Sequence, residues 1–592
     1  MDYNYRLKQL TFFGGPSAGS PATLLNLPNL TILVGPNSGG KSQTLRDIVT
    51  LTASNRGAEG GVTLGQAVTT LPRSAAELAT RYDLRPAPHS GHQQVLRYIG
   101  VDLAEGGATV LQSHLKWPED YDRIVKTPDQ FASLFGSSLT AYLRTENRLS
   151  LVNKKPAGDS NAEYANLPLA IYRKGTEIER RIRRTVSAAF PGIEIALDFS
   201  DLYQIGFRVG KGLASISGDP RDTSPELKKA AWLDDQGDGL RSYLAVVAVL
   251  TALERPVVLL DEPEVFLHPS QAFKLGRFIA QQASDSCQII VATHSAELLR
   301  GIILEPSAPL VIRLERVEER SFVRPLDSAS LKEILTDPLL SGSGVLAGIF
   351  STAVLVTEGD SDSRFYQTLL RKLKPALDVH VINADNKQTI PKVMKMYHRL
   401  GIRCVGVVDI DVVNDPTQLR QALETLEVDP EQSKKAVDAC RKICKEVAGN
   451  PSARLSSLLE GLSNTLNQFP SVAERTNPDD LNAQIDAIRA SLRDLRDDAS
   501  CWKEAKMKGR DALTECRADF EGLITTLGTA RLIVNPFGEL ESTLVELGIP
   551  WRKKKREWLG DALGKLDSMD STACPNLREF AQQILTTLEL PA

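Results

Sequence analysis

Apolar positions along this chain fall into short unbroken runs that alternate with longer helical stripes. Leu7–Phe13 predicts a strand, and Asn29–Val34, Val257–Leu260 and Gln288–Ala292 predict strands buried on both faces. A long apolar helix is expected to open at Gly237–Gly239 and run to about Leu253. Pro309–Leu314 and Ser321–Arg324 read as a hairpin at the sheet edge. A second set of runs follows at Val354–Thr357, Val379–Ile382, Cys404–Val408 and Ala530–Val534. Strands that alternate with helices in this way predict an α/β protein with two mainly parallel sheets.

The stretches between these runs are less regular. Asn55–Gly65 and Pro86–Gly91 read as breaks, while Leu149–Val152 and Ile193–Leu197 read as short strands. Glu177–Val186 is a helix carrying Arg180, Arg181, Arg183 and Arg184. Such a face is more often solvated than bound to a nucleic-acid backbone. Leu331–Leu346 reads as a helical connector with a break at Ser341–Gly344. Residues 416–528 predict several helices interrupted at Pro451, Pro470 and Pro478, an insertion of solvated or dimerising character.

Composition narrows the class without choosing it. The 592 residues suggest about four domain-sized units. The 42% hydrophobic and 24% charged content is ordinary for a globular protein. No run of about 18 uncharged apolar residues occurs, and Met1–Arg6 lacks a basic-then-apolar layout, so the expectation is no membrane span and a cytoplasmic location. Seven cysteines, an odd count, point to a reducing compartment. Cys440 and Cys444 lie one helical turn apart with no second pair to complete a zinc site. A net charge of −4 neither announces nor excludes a nucleic-acid partner.

The chemistry sits where the runs end. Gly35-Pro36-Asn37-Ser38-Gly39-Gly40-Lys41-Ser42, between a strand and a helix, is a complete Walker A sequence. Its glycines allow backbone N–H groups to curl around a polyphosphate, with Asn37 and Gly40 in the loop. Lys41 is expected on the β and γ phosphates and Ser42 on Mg²⁺. Asp261 ends a Walker B strand and would hold the Mg²⁺ shell, with Glu262 placed to polarise the attacking water. His294 follows a further strand, where a γ-phosphate sensor would sit. Tyr142–Arg148 offers an arginine to the nucleotide. Gly237, Asp238 and Gly239 at a helix N-terminus expose N–H groups to an anion. In ATPases of the ABC class, which these motifs resemble, this segment completes the partner subunit's nucleotide site. The Gly-Asp-Gly form departs from the common Leu-Ser-Gly-Gly.

The second set of runs ends in acids. Glu358 and Asp362 flank the turn after Val354–Thr357, and Asp409 and Asp411 follow Cys404–Val408, where strand alternation predicts that they share one face. Four converging carboxylates call for hard cations, Mg²⁺ or Mn²⁺, and a pair of such ions is the usual apparatus for phosphodiester cleavage. Either half alone would read as a βα turn with solvated acids. In order, both halves resemble a Toprim domain. That resemblance implies that Glu539 and Glu541 complete the ion ligands and that a lysine beyond them faces the phosphate. Lys553, Lys554 and Lys555 remain equal candidates, with Lys554 taken to stand for the three. The turn Asn383–Lys387 lacks the glycines usual there, although Lys387 could face a phosphate.

An ABC-type ATPase followed by a Toprim domain resembles the OLD (overcoming lysogenization defect) family, to which the Gabija nuclease subunit and retron-linked effectors are similar. The resemblance covers residues near 29–42, 234–324, 351–415 and 530–560, and leaves 55–230 and 416–528 unmatched. It implies an SMC-like ATPase domain over 1–330, a connector over 331–350 and a Toprim domain over 351–592. It also implies an ATP-regulated DNA endonuclease used against phage, cleaving with Glu358, Asp409 and a lysine. ATPase heads would pair into a homodimer or higher even assembly, with an operon-encoded defence partner possible. Two alternatives stand beside it: an ATP-driven DNA clamp or sensor of SMC type with a non-catalytic Toprim scaffold, and a Toprim ribonuclease acting on RNA such as tRNA.

Overall fold

The computed structural model describes residues 5–589 apart from 17–20, 55–60, 80–82, 87–93, 102, 104–107, 113–117, 158–165, 201–202, 214–224, 226, 318–319, 338–339, 341–343, 450, 468–481, 483–484, 493–500, 552–554 and 569–573. Two compact units divide between Asp337 and Pro338.

The first unit is built on a six-stranded sheet in the order Arg320–Leu326, Leu310–Val317, Leu30–Val34, Gln288–Ala292, Val257–Asp261 and Thr140–Leu143. All pairings are parallel except the hairpin at the 320–326 edge. Leu30–Val34 and Gln288–Ala292 are buried at every position, which is why they read as continuous apolar runs. A three-stranded antiparallel sheet, Thr23–Asn26, Arg6–Phe12 and Leu64–Thr70, is tied to the main sheet by Gln288. The Gln288 side chain accepts from Leu7 N and donates to the Leu7 and Pro28 carbonyls. Asp47 fastens the next loop by accepting from Val62 N, Thr63 N and Leu64 N.

Two local expectations are corrected. Leu149–Val152 is not a strand: Thr145–Leu151 is a helix, begun by Arg144 N donating to the Asn147 side chain. Its buried face, Arg148 and Leu151, packs on the helix Asp238–Ala252. A four-residue apolar run does not carry enough period to separate the two states. The connector is not one helix: Ser328–Thr336 ends at Asp337, and among the described residues a 3₁₀ turn spans Val345–Phe350.

The second unit holds a four-stranded parallel sheet, ordered Val379–Asn383, Ala353–Thr357, Arg403–Val408 and Leu532–Val534. At Gly406 a Cβ would lie 2.4 Å from Met394 Sδ, so the helix Ile390–Arg399 crosses this strand where only glycine fits. Helices Pro416–Thr425, Pro430–Ala448, Pro451–Asn467, Lys503–Lys508 and Arg517–Thr529 fill the insertion. Three of them begin on proline, which suits the first helical turn. Pro470 and Pro478 lie outside the described residues. Leu532–Val534 then returns to the sheet, and Trp558, Phe580 and Leu585 of the last helices close the core against Phe365 and Tyr366.

Candidate functional site

In the first unit the phosphate loop is set by strain and close approach. Gly35 (φ +134°) and Gly40 (φ +96°) adopt backbone that side chains rarely tolerate, and a Cβ on Gly35 or Gly39 would strike the Leu314 carbonyl at 2.0 or 2.6 Å. Asn37 is exposed on the loop. Lys41 Nζ donates to the Gly35 and Pro36 carbonyls at 2.9 Å each. Burial pulls its ammonium below the ordinary lysine range, opposed by Glu262, Glu264 and Asp261, so these four charges share one field.

Ser42 Oγ donates to Asp261 Oδ1 at 2.8 Å, and Tyr142 OH donates to Asp261 Oδ2 at 3.2 Å. Burial raises the Asp261 carboxyl despite these bonds. His294 Nδ1 lies 3.2 Å from Glu262 Oε1 and 3.6 Å from Glu264 Oε1. The bond from His294 holds Glu262 below its usual range, and the same bond raises His294. Glu262 sits at φ +46°, a strained conformation for a non-glycine residue.

The arginine expected near the nucleotide is Arg148, and it lies behind the Walker B turn. Its side chain is fully buried and donates to the carbonyls of Asp261 and Glu262. Burial lowers it to about 10 against the pull of Glu264, Asp261 and Glu262. Glu264 is also buried, with burial pushing its carboxyl up, and it accepts from Thr293 Oγ1 and His294 N. Sequence reasoning passed over Glu264 although it stands inside Asp261-Glu262-Pro263-Glu264.

Gly237 caps the helix Asp238–Ala252, and Gly237 and Asp238 are exposed. A Cβ on Gly237 would meet nothing within 4 Å, whereas one on Gly239 would lie 2.6 Å from the Phe266 carbonyl. Gly239 therefore serves close packing on the Walker B loop, and Gly237 faces open space. In the basic helix Thr176–Ala189, Arg180 pairs with Glu177 and Arg183 with Glu179, while Arg181 donates to Gln282 of the helix Pro269–Gln282.

In the second unit, parallel pairing brings the strand ends to one edge. The pairs Val356–Gly406 and Val408–Val534 set Glu358 beside the end of the strand that leads into Asp409. Glu358 is half-buried, and Asp362 is buried in the first turn of Asp360–Leu373. Glu541 is buried in the short helix Leu540–Thr543 and accepts from Trp558 Nε1 at 3.2 Å. Asp409 Oδ1 accepts from Leu540 N at 3.2 Å. Tyr366 OH is fully buried without a hydrogen-bond partner among the described residues. Burial raises it far above the usual phenol range, reinforced by Asp409, Asp362 and Glu541. Carboxylates from three elements, Asp409, Asp362 and Glu541, thus act on one buried hydroxyl.

The strand ends at Val408 and Asp411 lies in the 3₁₀ turn Ile410–Asn414, so the alternation that placed it on the face of Asp409 does not apply. Lys387 Nζ is 3.4 Å from Asp411 Oδ1, and Lys506 Nζ is 3.5 Å from Asp411 Oδ2 and 2.6 Å from Glu539 Oε1. Of the predicted ligands, Asp411 and Glu539 are held by lysines. Among the described residues, no group of three or more His, Cys, Asp or Glu side chains stands close enough to grip a metal as placed. Lys553 and Lys554 lie outside the described residues, as does the side chain of Lys555 at the start of Lys555–Ser568. Lys506 was missed because its helix reads as part of a solvated arm.

Residues 30–300 match the family described as AAA domain, putative AbiEii toxin, Type IV TA system, and residues 349–411 match the overcoming lysogenization defect protein-like Toprim domain. An AAA-type ATPase followed by this Toprim domain defines an ATPase–Toprim protein, and both domain types use a nucleotide or a divalent metal. This order of domains is similar to that of the OLD family. It is 24% identical over 170 residues to the Old nuclease of Escherichia phage P2, covering 27% of this chain and 28% of the relative. It is 25% identical over 284 residues to the OLD nuclease of Thermus scotoductus, covering 44% of this chain and 52% of the relative. The chain thus spans about half or less of the length of these curated relatives. The SMC head bound to the C-terminal winged-helix domain of ScpA is similar at 13% identity and TM-score 0.33, covering 55% of this chain and 99% of that one. The SMC head domain from Thermotoga maritima is similar at 17% identity and TM-score 0.28, covering 54% and 99%. Among the described residues no helix is long and apolar enough to cross a membrane.

Proposed function

We propose that this protein is an ATP-regulated, divalent-metal-dependent DNA endonuclease of anti-phage defence, working as a homodimer or higher even assembly through its ATPase heads. The observation that carries the reading is the strand register that sets Glu358 beside the strand end leading into Asp409, with the buried carboxylates Asp362 and Glu541 on the adjoining helices. Bound divalent ions would supply a nucleophilic hydroxide and stabilise the departing 3′-oxygen. Glu358, Asp362, Asp409 and Glu541 would hold them, and the buried setting limits competing water.

In the ATPase unit, Lys41 and Ser42 bind the phosphates and Mg²⁺, Asp261 orients Ser42, and Glu262 takes the proton of the attacking water. His294 sets the charge of Glu262, and the exposed Gly237–Ser242 segment completes the other subunit's site. ATP then regulates cleavage through its different affinity for two head arrangements.

The pairing of Asp411 and Glu539 with Lys387 and Lys506 favours one second reading, a DNA clamp or sensor whose Toprim half is a scaffold. Supercoiled plasmid and a structured RNA, each incubated with Mg²⁺ or Mn²⁺ with and without ATP, separate these readings. Nicked or linear plasmid is expected. Degraded RNA beside intact plasmid would make the enzyme a ribonuclease, and intact substrates throughout would leave the clamp.

A further inference from the structure

Cys440 and Cys444 lie one turn apart on the helix Pro430–Ala448, on the face that packs against the turn Ile410–Asn414. Cys440 is fully buried and Cys444 half-buried. Both thiols donate to one acceptor, the Val413 carbonyl, from Cys440 Sγ at 3.1 Å and from Cys444 Sγ at 3.3 Å. The two sulfurs are also within hydrogen-bond reach of each other.

This arrangement makes the sulfurs unequal. Each thiol carries one proton, so when Cys444 ionises the Cys440 S–H can turn from the carbonyl and donate to the new thiolate. That bond holds Cys444 below the ordinary thiol range, against its burial and the Asp415 carboxylate. The same bond, with burial, pushes Cys440 up. A reachable thiol that ionises readily beside a buried one that does not is the layout of an attacking and a resolving cysteine.

The helix restrains the pair. Residues four apart on a helix have Cβ atoms about 5–6 Å apart, whereas a disulfide needs about 3.5–4.5 Å. Closure therefore requires the turn to give by about 1–2 Å. The helix stops at Ala448, one turn beyond Cys444, and Gly449 turns the chain away at φ +57°. The turn that must yield carries Glu446, whose carboxylate accepts from Thr514 N, Glu515 N and Cys516 N.

We propose that Cys444 and Cys440 form a peroxide-responsive thiol pair, a modification site that loosens the arm when it closes. The Cys444 thiolate attacks hydrogen peroxide: an S–O bond forms, the O–O bond breaks, and the departing hydroxide takes up the proton released by Cys444 as water. The Cys440 sulfur then displaces the hydroxyl from Cys444, which leaves with the Cys440 proton as a second water. Two thiols and one peroxide thus give one disulfide and two waters. The Val413 carbonyl, two residues after Asp411, loses both donors, because a disulfide has no proton to give.

The test treats the full chain with limiting hydrogen peroxide and maps it with trypsin, which cuts between the two cysteines after Arg441 and Lys442. The Cys440 and Cys444 peptides should appear linked within one chain, at a rate about ten-fold or more above oxidation of Cys287, Cys501 or Cys516. Cys440→Ser, whose hydroxyl keeps a donor on Val413, should leave Cys444 as a sulfenic acid captured by dimedone. Cys444→Ser should leave Cys440 unreactive. In the linked protein the amides of Thr514, Glu515 and Cys516 should exchange hydrogen about ten-fold faster or more, and dithiothreitol should restore the original rate. Unlinked peptides, Cys444 oxidised no faster than the other three, or a reactive Cys440 in Cys444→Ser would overturn the pair. A linked protein with unchanged exchange at these amides would overturn its hold on the arm.

Discussion

Glu262 is held in a left-handed conformation between two constraints, Arg148 on its carbonyl and His294 on its carboxylate. Because the bond from His294 keeps the Glu262 carboxyl low, His294→Gln should let it rise towards the ordinary glutamate range. The acid limb of the ATPase pH–rate profile then moves to higher pH, and a limb that does not move contradicts the role given to His294. Arg148→Met removes two charge-assisted bonds from a fully buried side chain. It should cost about 3 kcal/mol of stability in urea unfolding. ATP turnover should fall about ten-fold or more with nucleotide affinity little changed, since the lost bonds orient the Walker B turn rather than touch the ligand. Wild-type turnover in a folded Arg148→Met protein would refute this. Residue roles of this kind are only half legible in sequence. Lys41, Ser42, Asp261 and Glu262 are announced by their spacing, whereas Arg148 lies over a hundred positions from the carbonyls it supports.

At the scale of elements, the helix Asp238–Ala252 and the arm make separate predictions. Gly239→Ala drives a methyl into the Phe266 carbonyl and should destabilise the unit by about 1–3 kcal/mol. Gly237→Ala meets open space and should unfold like wild type, yet lower ATP turnover if heads pair across this segment. Equal stability losses for the two variants would contradict the packing described. The arm is anchored by Glu446, whose carboxylate accepts from Thr514 N, Glu515 N and Cys516 N. Burial works against its charge, but these bonds prevail and hold it down to about 2. A depressed carboxyl contributes stability that is complete above its ordinary value of 4.5 and is lost as pH falls towards 2. The stability gap between wild type and Glu446→Gln should therefore close over that window in acid unfolding, and a constant gap would exclude the anchor.

The same scale explains what the sequence made visible. Parallel strands buried on both faces are largely apolar, so Leu30–Val34, Val257–Asp261, Gln288–Ala292 and Arg403–Val408 announce themselves. The four residues Leu149–Val152 have no period to read, and they form the end of a helix. Asp411 was placed by extending strand alternation beyond Val408, where the backbone has already turned. Lys506 meets Glu539 across 33 positions through a backbone contact that no local pattern encodes.

For the whole molecule, two compact units carry two chemistries with separate residue sets, the Walker cluster before Asp337 and the carboxylate edge after Pro338. Substitutions in one unit should therefore spare the chemistry of the other unless nucleotide occupancy is transmitted between them. Asp409→Ala separates the two most directly, because Asp409 lies at the strand edge of the second unit, where it accepts from Leu540 N. The measurement is strand cleavage of supercoiled plasmid with Mn²⁺, run beside ATP hydrolysis on the same preparation. The account predicts that Asp409→Ala abolishes cleavage, a loss of about a hundred-fold or more, while ATP turnover stays near wild type. Cleavage that persists in a folded Asp409→Ala protein would contradict it.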